Sequence, residues 1–229
     1  MRITFLSPLL RTRCPLVSCL FLLVPAFLST HAEIIDRIAA SVATRVITTS
    51  DVEREIRITA FLNGVKPDFS PANKRATIDR MIEQRLVERE LENGRYPTPQ
   101  PADILPALED FRKRFYPDDA DYQRALTVFG ITDADVRSAL LWQRTLLQFI
   151  EVRFRPGVQV TDQQIQDYFE KVVGPAARTA HPGQPVSLSD YRDQIEQTLA
   201  GQKEDADMDV WLREARRRTD VVVHDEALK

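Results

Sequence analysis

The chain has 229 residues, of which 43% are hydrophobic and 28% charged, with a formal net charge of −3. An acidic chain is a poor candidate for nucleic-acid binding, which depends on clustered positive charge. The length suits one sizeable core or two small domains.

The first 32 residues have the order of a secretory signal peptide. Arginines precede an apolar run over residues 16–28, and small residues at 30–32 provide a cleavage motif. A membrane-spanning helix needs about 20 apolar residues, which is more than this run has. We therefore expect a secreted protein that begins near Glu33, works outside the cytoplasm and has no stable membrane insertion. Two alternatives stay open, namely an uncleaved anchor and a lipid on Cys19, which follows a lipobox-like sequence.

Both cysteines, Cys14 and Cys19, lie within this segment. Because the segment holds three arginines and no acid, cleavage leaves 28 basic and 34 acidic residues and no cysteine. Disulfides and cysteine chemistry are then excluded, so packing has to stabilise the domain.

The rest of the sequence predicts a mainly α fold with a small N-terminal β-hairpin and a short C-terminal strand at Val221–Val223. Alternating apolar residues over 34–48 favour the hairpin, although Ala43-Thr44-Arg45 lacks the Gly or Asn of tight turns. Ser50 with Glu53 indicates a capping box at the first helix. Apolar periodicity, caps and stops predict helices over 50–62, 71–93, 102–116, 119–129, 133–154, 162–173 and 188–218.

Two segments have special roles in this prediction. The 133–154 helix carries two apolar stripes, so much of its circumference is apolar and we expect it at the centre of the core. One stripe has Val136, Leu140, Leu147, Ile150 and Phe154, and the other has Ala139, Trp142, Leu146 and Phe149. Residues 174–187 contain three prolines and two glycines without helical periodicity, and are predicted to be a loop.

One apolar stripe is the candidate binding surface. It recurs at helical spacing on a charge-rich helix and continues into the next one. Its members are Ile104, Leu108, Phe111, Phe115, Tyr122 and Phe129. Two interpretations stay open. The stripe faces the core, as such stripes most often do, or it forms a groove for unfolded polypeptide, because prolines bound the helix on both sides.

No catalytic, metal or cofactor site is predicted. His181 and His224 are isolated, and patterns for a nucleophile elbow, a phosphate loop or a dinucleotide site are absent from the sequence. The acids at 118–121 suit a helix start better than a cation site. The arginines at 213–218 suit a helix C-terminus better than a docking patch for an acidic partner.

The order of the motifs resembles SurA-type periplasmic chaperones and related secreted parvulin-type prolyl isomerases. Ile35-Asp36-Arg37-Ile38-Ala39-Ala40 occupies the place of the family's hairpin motif V-D-x-V-A-A, and Ser50-Asp51-Val52 that of its helix start S-D-V. Later helices of the family are similar to the segments ATIDRMIEQRLVERE, DVRSALLWQRTLLQFIEVRF and VTDQQIQDYFE. The resemblance covers most of residues 34–173 and, more weakly, 188–223.

The chain departs from the family at one place. Relatives carry a parvulin isomerase domain after these helices, whereas only residues 174–187 occupy that position here. Because an independent domain needs about 50 residues, the isomerase and its catalytic residues are missing. The resemblance therefore implies a helical core over 33–173 that residues 188–229 complete. The last strand should pair with the hairpin, and the last long helix should pack on the 133–154 helix.

The family resemblance implies a non-catalytic periplasmic chaperone without cofactors. Its partners would be unfolded or extended segments of envelope and outer-membrane proteins, held in apolar clefts between helices. Two alternatives stay open: a divergent peptidyl-prolyl cis-trans isomerase with residual activity, and a periplasmic scaffold with one fixed protein partner.

Overall fold

The computed structural model describes residues 36–116 and 118–228. Within them the fold is mainly helical, with a small N-terminal antiparallel strand pair and a short C-terminal strand, as the sequence predicts. The predicted signal peptide and both cysteines lie outside the described residues. In the described part of the chain, none of the helices is long and apolar enough to cross a membrane.

The elements follow one another in an order close to the predicted one. The strands are β1 (Ile38–Val42), β2 (Arg45–Thr48) and β3 (Val221–Val223). The helices are α1 (Thr49–Asn63), α2 (Pro71–Asn93), α3 (Leu105–Phe115), α4 (Asp119–Phe129), α5 (Asp133–Arg153), α6 (Asp162–Tyr168), α7 (Gly174–Ala180) and α8 (Arg192–Arg218).

The three strands form one antiparallel sheet in the order β2-β1-β3. Ala40 lies opposite Val223 and Val42 opposite Val221, which confirms the predicted pairing of the last strand with the hairpin. The hairpin turn has no glycine, and Ala43 adopts a φ of 52°, which is uncommon for a residue with a Cβ. Its amide donates to the Asp220 carbonyl at 2.7 Å, so the returning chain helps to hold this turn.

The first helix begins at Thr49, one residue earlier than predicted, and its N-cap is Thr48 in place of Ser50. The Thr48 hydroxyl accepts from the Asp51 amide at 3.2 Å, and the Asp51 carboxylate accepts from the Thr48 amide at 3.0 Å. The predicted capping box of Ser50 and Glu53 is therefore wrong, because β2 ends at Thr48 and the chain turns directly into the helix. The Ser50 amide instead donates to the carboxylate of Asp36 at 3.2 Å.

The predicted loop over 174–187 is wrong in its first half. A π-helical turn at Phe169–Val173 joins α6 to α7, so the chain stays helical to Ala180. Pro175 lies in the first turn of α7, where the missing proline N–H is tolerated. A Cβ on Gly174 would lie 3.0 Å from the carbonyl oxygen of Phe169, so the close approach here suits glycine.

The helix α5 lies between two apolar clusters, in agreement with its predicted place in the core, although Leu147 of one predicted stripe is 63% exposed. Near its start, Val136 is buried in a cluster with Phe61 of α1. Near its end, Phe149 is buried against Trp211 of α8, with ring centroids 5.4 Å apart. The prediction that the last long helix packs on α5 is confirmed.

Removing the returning segment should abolish the fold. A chain truncated after Val173 loses β3 from the sheet and both Met208 and Trp211 from the core. Loss of a large buried side chain costs about 2–5 kcal/mol, and a whole domain is stable by only about 5–15 kcal/mol. We expect an aggregating fragment without a cooperative thermal transition in circular dichroism. A fragment that unfolds cooperatively at the melting temperature of the full chain would contradict this closure.

Candidate functional site

The predicted binding stripe lies mostly in the core. Of its six members, Phe115 alone is clearly exposed, at 49%. The buried members are Ile104, Leu108 and Tyr122, and the half-buried members are Phe111 and Phe129. The interpretation of this stripe as an outward-facing groove is therefore wrong for the buried members, and the alternative, a core face, holds for them.

The partner that covers the stripe is Phe61 of α1. Its ring stacks on Tyr116 at 5.5 Å between centroids and meets Phe111 at 5.6 Å and Phe129 at 5.4 Å. Tyr122 approaches edge-on at 6.0 Å. Aromatic pairs at these separations stabilise a core beyond the area they bury, so this cluster fixes α3 and α4 on α1.

A polar network anchors the same cluster to α5. The Tyr122 hydroxyl donates to the Asp133 carboxylate at 2.8 Å, and Arg137 donates to the other oxygen of Asp133. The guanidinium of Arg112 lies 4.5 Å from the centre of the Tyr122 ring. Burial pushes the pKa of Asp133 upward, but the hydrogen bonds from Arg137 and Tyr122 outweigh it, and the pKa is lowered. Tyr122 is therefore held as a structural hydrogen-bond donor.

The charged clusters that the sequence singles out are occupied by structural contacts. Asp118 caps α4 through its side chain, and Asp119 pairs with Arg112. Arg216 lies in the last turn of α8 and pairs with Asp79 at 3.2 Å. Over the described ranges, no group of three or more His, Cys, Asp or Glu residues is arranged to hold a metal ion.

A cleft between α2, α5 and α8, with α1 at its edge, is the better candidate for binding. Its cavity has a volume of about 210 Å³. The walls are apolar and come from three helices, with Met81 and Val87 from α2, Trp142 and Leu146 from α5, and Met208 and Leu212 from α8.

A second cavity of about 200 Å³ adjoins the first. The two share Glu55, Gln84 and Trp142 in their linings. Together they reach the lower part of the range for ligand pockets, about 300–1,000 Å³. Trp142 therefore lies where the two cavities meet.

The sequence indicated the cleft only in part. Trp142 and Leu146 belong to an apolar stripe of α5 that the periodicity places in the core, and Phe149 of that stripe is indeed buried. Trp142 and Leu146 are only half-buried, because they line the cleft. A helical period shows which side chains share a face, but it does not show where a neighbouring helix stops covering that face.

Carboxylates mark the rim of this cleft. Glu55 accepts a hydrogen bond from Thr59 at 3.3 Å, and within the described part of the chain neither Glu55 nor Glu83 has an ion-pair partner. Partial desolvation raises the pKa of Glu83, and the nearby Asp79 carboxylate raises it further. The one cation in the lining, Arg80, donates to the Thr77 hydroxyl at 2.8 Å. The mouth of the cleft is therefore net negative.

The position of the stripe can be tested with a matched pair of substitutions. Leu108→Ala removes a buried side chain and should lower the free energy of unfolding by about 2–5 kcal/mol. Phe115→Ala removes an exposed ring from the same helix and should change it by only about 0.5 kcal/mol. Urea unfolding followed by circular dichroism measures both. Equal losses for the two variants would contradict the packing described here.

The Asp133 network predicts a defined acid dependence. Because its folded-state pKa is lowered, the carboxylate stabilises the fold above its unfolded pKa of about 3.9, and this contribution is lost as the pH falls through the folded value. Asp133→Asn should therefore be less stable at neutral pH and lose less stability on acidification. Urea midpoints across the acidic range measure this, with Asp110→Asn, an exposed acid of α3, as the control that should follow the wild-type curve.

The geometry therefore offers two features, an aromatic cluster that is structural and an apolar cleft with an acidic rim. No protein-family model matches the chain, and no curated protein shows significant similarity to it. The function is inferred from the residues of this chain.

Proposed function

We propose that the protein is a non-catalytic, chaperone-like binding protein for unfolded or extended polypeptide segments of the bacterial envelope. The proposal is supported by the apolar cleft around Trp142 and by the resemblance of residues 34–173 to SurA-type chaperones. The signal-like order of the first 32 residues supports a periplasmic location.

The composition of the cleft wall carries the proposal. Met81 and Met208 face it from two different helices, and Trp142 supplies a large aromatic surface between them. Methionine side chains are unbranched and polarisable, so they adapt to ligand side chains of different shapes. Tryptophan offers large contact area with few rotatable bonds. Such a wall suits the weak recognition of many sequences better than the tight recognition of one.

The size of the site favours extended segments over folded partners. Each cavity is about 200 Å³, which holds a few side chains of an extended segment. A stable interface between folded proteins instead needs a broad surface, with about 800 Å² buried on each partner. Contacts of this extent are individually weak and permit release of the bound segment. Release is what separates a chaperone from a scaffold with one permanent partner.

The cleft is tested by a pair of substitutions on α5. Trp142→Ala removes the one aromatic side chain among those that line both cavities, whereas Leu147→Ala removes an exposed side chain, at 63%, that lines neither cavity. We expect Trp142→Ala to weaken peptide binding about tenfold, as an anchor residue does, and to reduce suppression of aggregation for several unrelated clients. Leu147→Ala should retain both activities.

The controls separate the alternatives. Thermal melting has to show that Trp142→Ala remains folded at the assay temperature, because Trp142 is half-buried. Equal activity of the two variants would contradict the cleft as the binding site. A single stoichiometric partner on pull-down would favour a scaffold. Catalysed isomerisation of a proline peptide would favour the isomerase alternative.

A further inference from the structure

We propose that the Trp142 cleft selects polypeptide segments in which lysine or arginine lies next to apolar residues. The inference rests on the proposed function and specifies its ligands. It derives from the combination of an apolar wall and an unneutralised acidic rim in one cleft.

The rim charges are placed where a bound segment would meet them. Glu55 of α1 is half-buried and lines both cavities, and Glu83 of α2 lines the larger one. Neither carboxylate has an ion-pair partner within the described part of the chain. A third carboxylate, Asp135, lines the smaller cavity, but it is used in the capping box with Thr132 at the start of α5. Glu55 and Glu83 therefore remain for a ligand.

The surrounding charges do not neutralise this rim. Asp79 and Asp209 are close enough to act on Glu83, and both add negative charge. Arg216 and Arg80 act on Glu83 in the opposite sense and lower its pKa. Arg216 is itself paired with Asp79 at 3.2 Å. Arg80 is then one cation against the carboxylates of Glu55, Glu83 and Asp209, so the rim keeps a net negative charge. The pKa of Glu83 is raised mainly by desolvation, and the neighbouring carboxylates raise it further, so an added cation beside it would stabilise its charged form.

The apolar wall suits the stem of such a ligand side chain. Lysine and arginine bury their methylene stems along apolar surface while the charged head stays in water. Met81 and Leu146 provide that surface next to the rim. The face of Trp142 can also attract a cation that lies over it. One long basic side chain could therefore use both the wall and the rim, which neither a neutral apolar nor an acidic side chain can do.

The test compares three short unstructured peptides with the same aromatic and aliphatic centre. They carry lysine, glutamine or glutamate at the same flanking positions, and fluorescence anisotropy with the full chain measures their affinities. Because an exposed ion pair contributes little to the free energy of binding, we expect the lysine peptide to bind only about 5-fold to 10-fold more tightly than the glutamate peptide. This ratio should shrink at high salt, since exposed charges are screened.

Matched variants locate the selectivity. Glu55→Gln combined with Glu83→Gln should reduce the ratio to about twofold or less while leaving the glutamine peptide bound as before. Asp110→Asn combined with Glu151→Gln changes the net charge equally at exposed sites outside the cleft, and should keep the wild-type ratio. Both variants preserve side-chain size, and thermal melting checks that they are folded.

Each outcome has a distinct meaning. Equal binding of all three peptides would overturn the charge selectivity and leave the proposed function in place. Absence of binding for every peptide would overturn both. A ratio that survives in the cleft variant, or that falls equally in the control variant, would show that the preference does not arise at Glu55 and Glu83, and would overturn the inference.

Discussion

The return of the chain to its own beginning is the constraint on which the rest of the structure depends. The strand β3 pairs with residues Ala40–Val42 of β1. At the strained hairpin turn, the Ala43 amide donates a hydrogen bond to the Asp220 carbonyl. The same return brings Trp211 against Phe149. Without this long-range contact the sheet has two strands, and two-stranded hairpins are marginal in water.

The sequence predicts the local elements well because their causes are local. Helix starts such as Thr132 with Asp135, and Thr161 with Gln164, are fixed by side chains three residues apart, and the structure contains both capping boxes. The errors arise where two local preferences compete. The pair Ser50 and Glu53 has the right spacing for a capping box. However, β2 pairs with β1 as far as Thr48, and the helix begins directly after it, so Thr48 and Asp51 form the capping box.

The candidate site was less accessible to sequence reasoning, for a different physical reason. The α3 helix is amphipathic in the sequence whether or not another helix covers its apolar stripe. The covering residue, Phe61, lies 50 residues before Phe111 in the chain. The cleft around Trp142 depends on the spacing of four helices. Period and composition determine which face of a helix is apolar, whereas exposure of that face depends on tertiary packing that no local pattern encodes.

The packing of α8 on α5 also determines when the cleft can form during folding. Two of its wall residues, Met208 and Leu212, belong to α8, which follows the other wall-forming helices in the chain. Chains emerge from their N-terminal end, and contacts between distant segments form late because the loop between them has to close. A nascent chain can form α1 and α2 early, yet it has no complete cleft until α8 arrives. The cleft is thus complete only once α8 has packed against the helices that precede it.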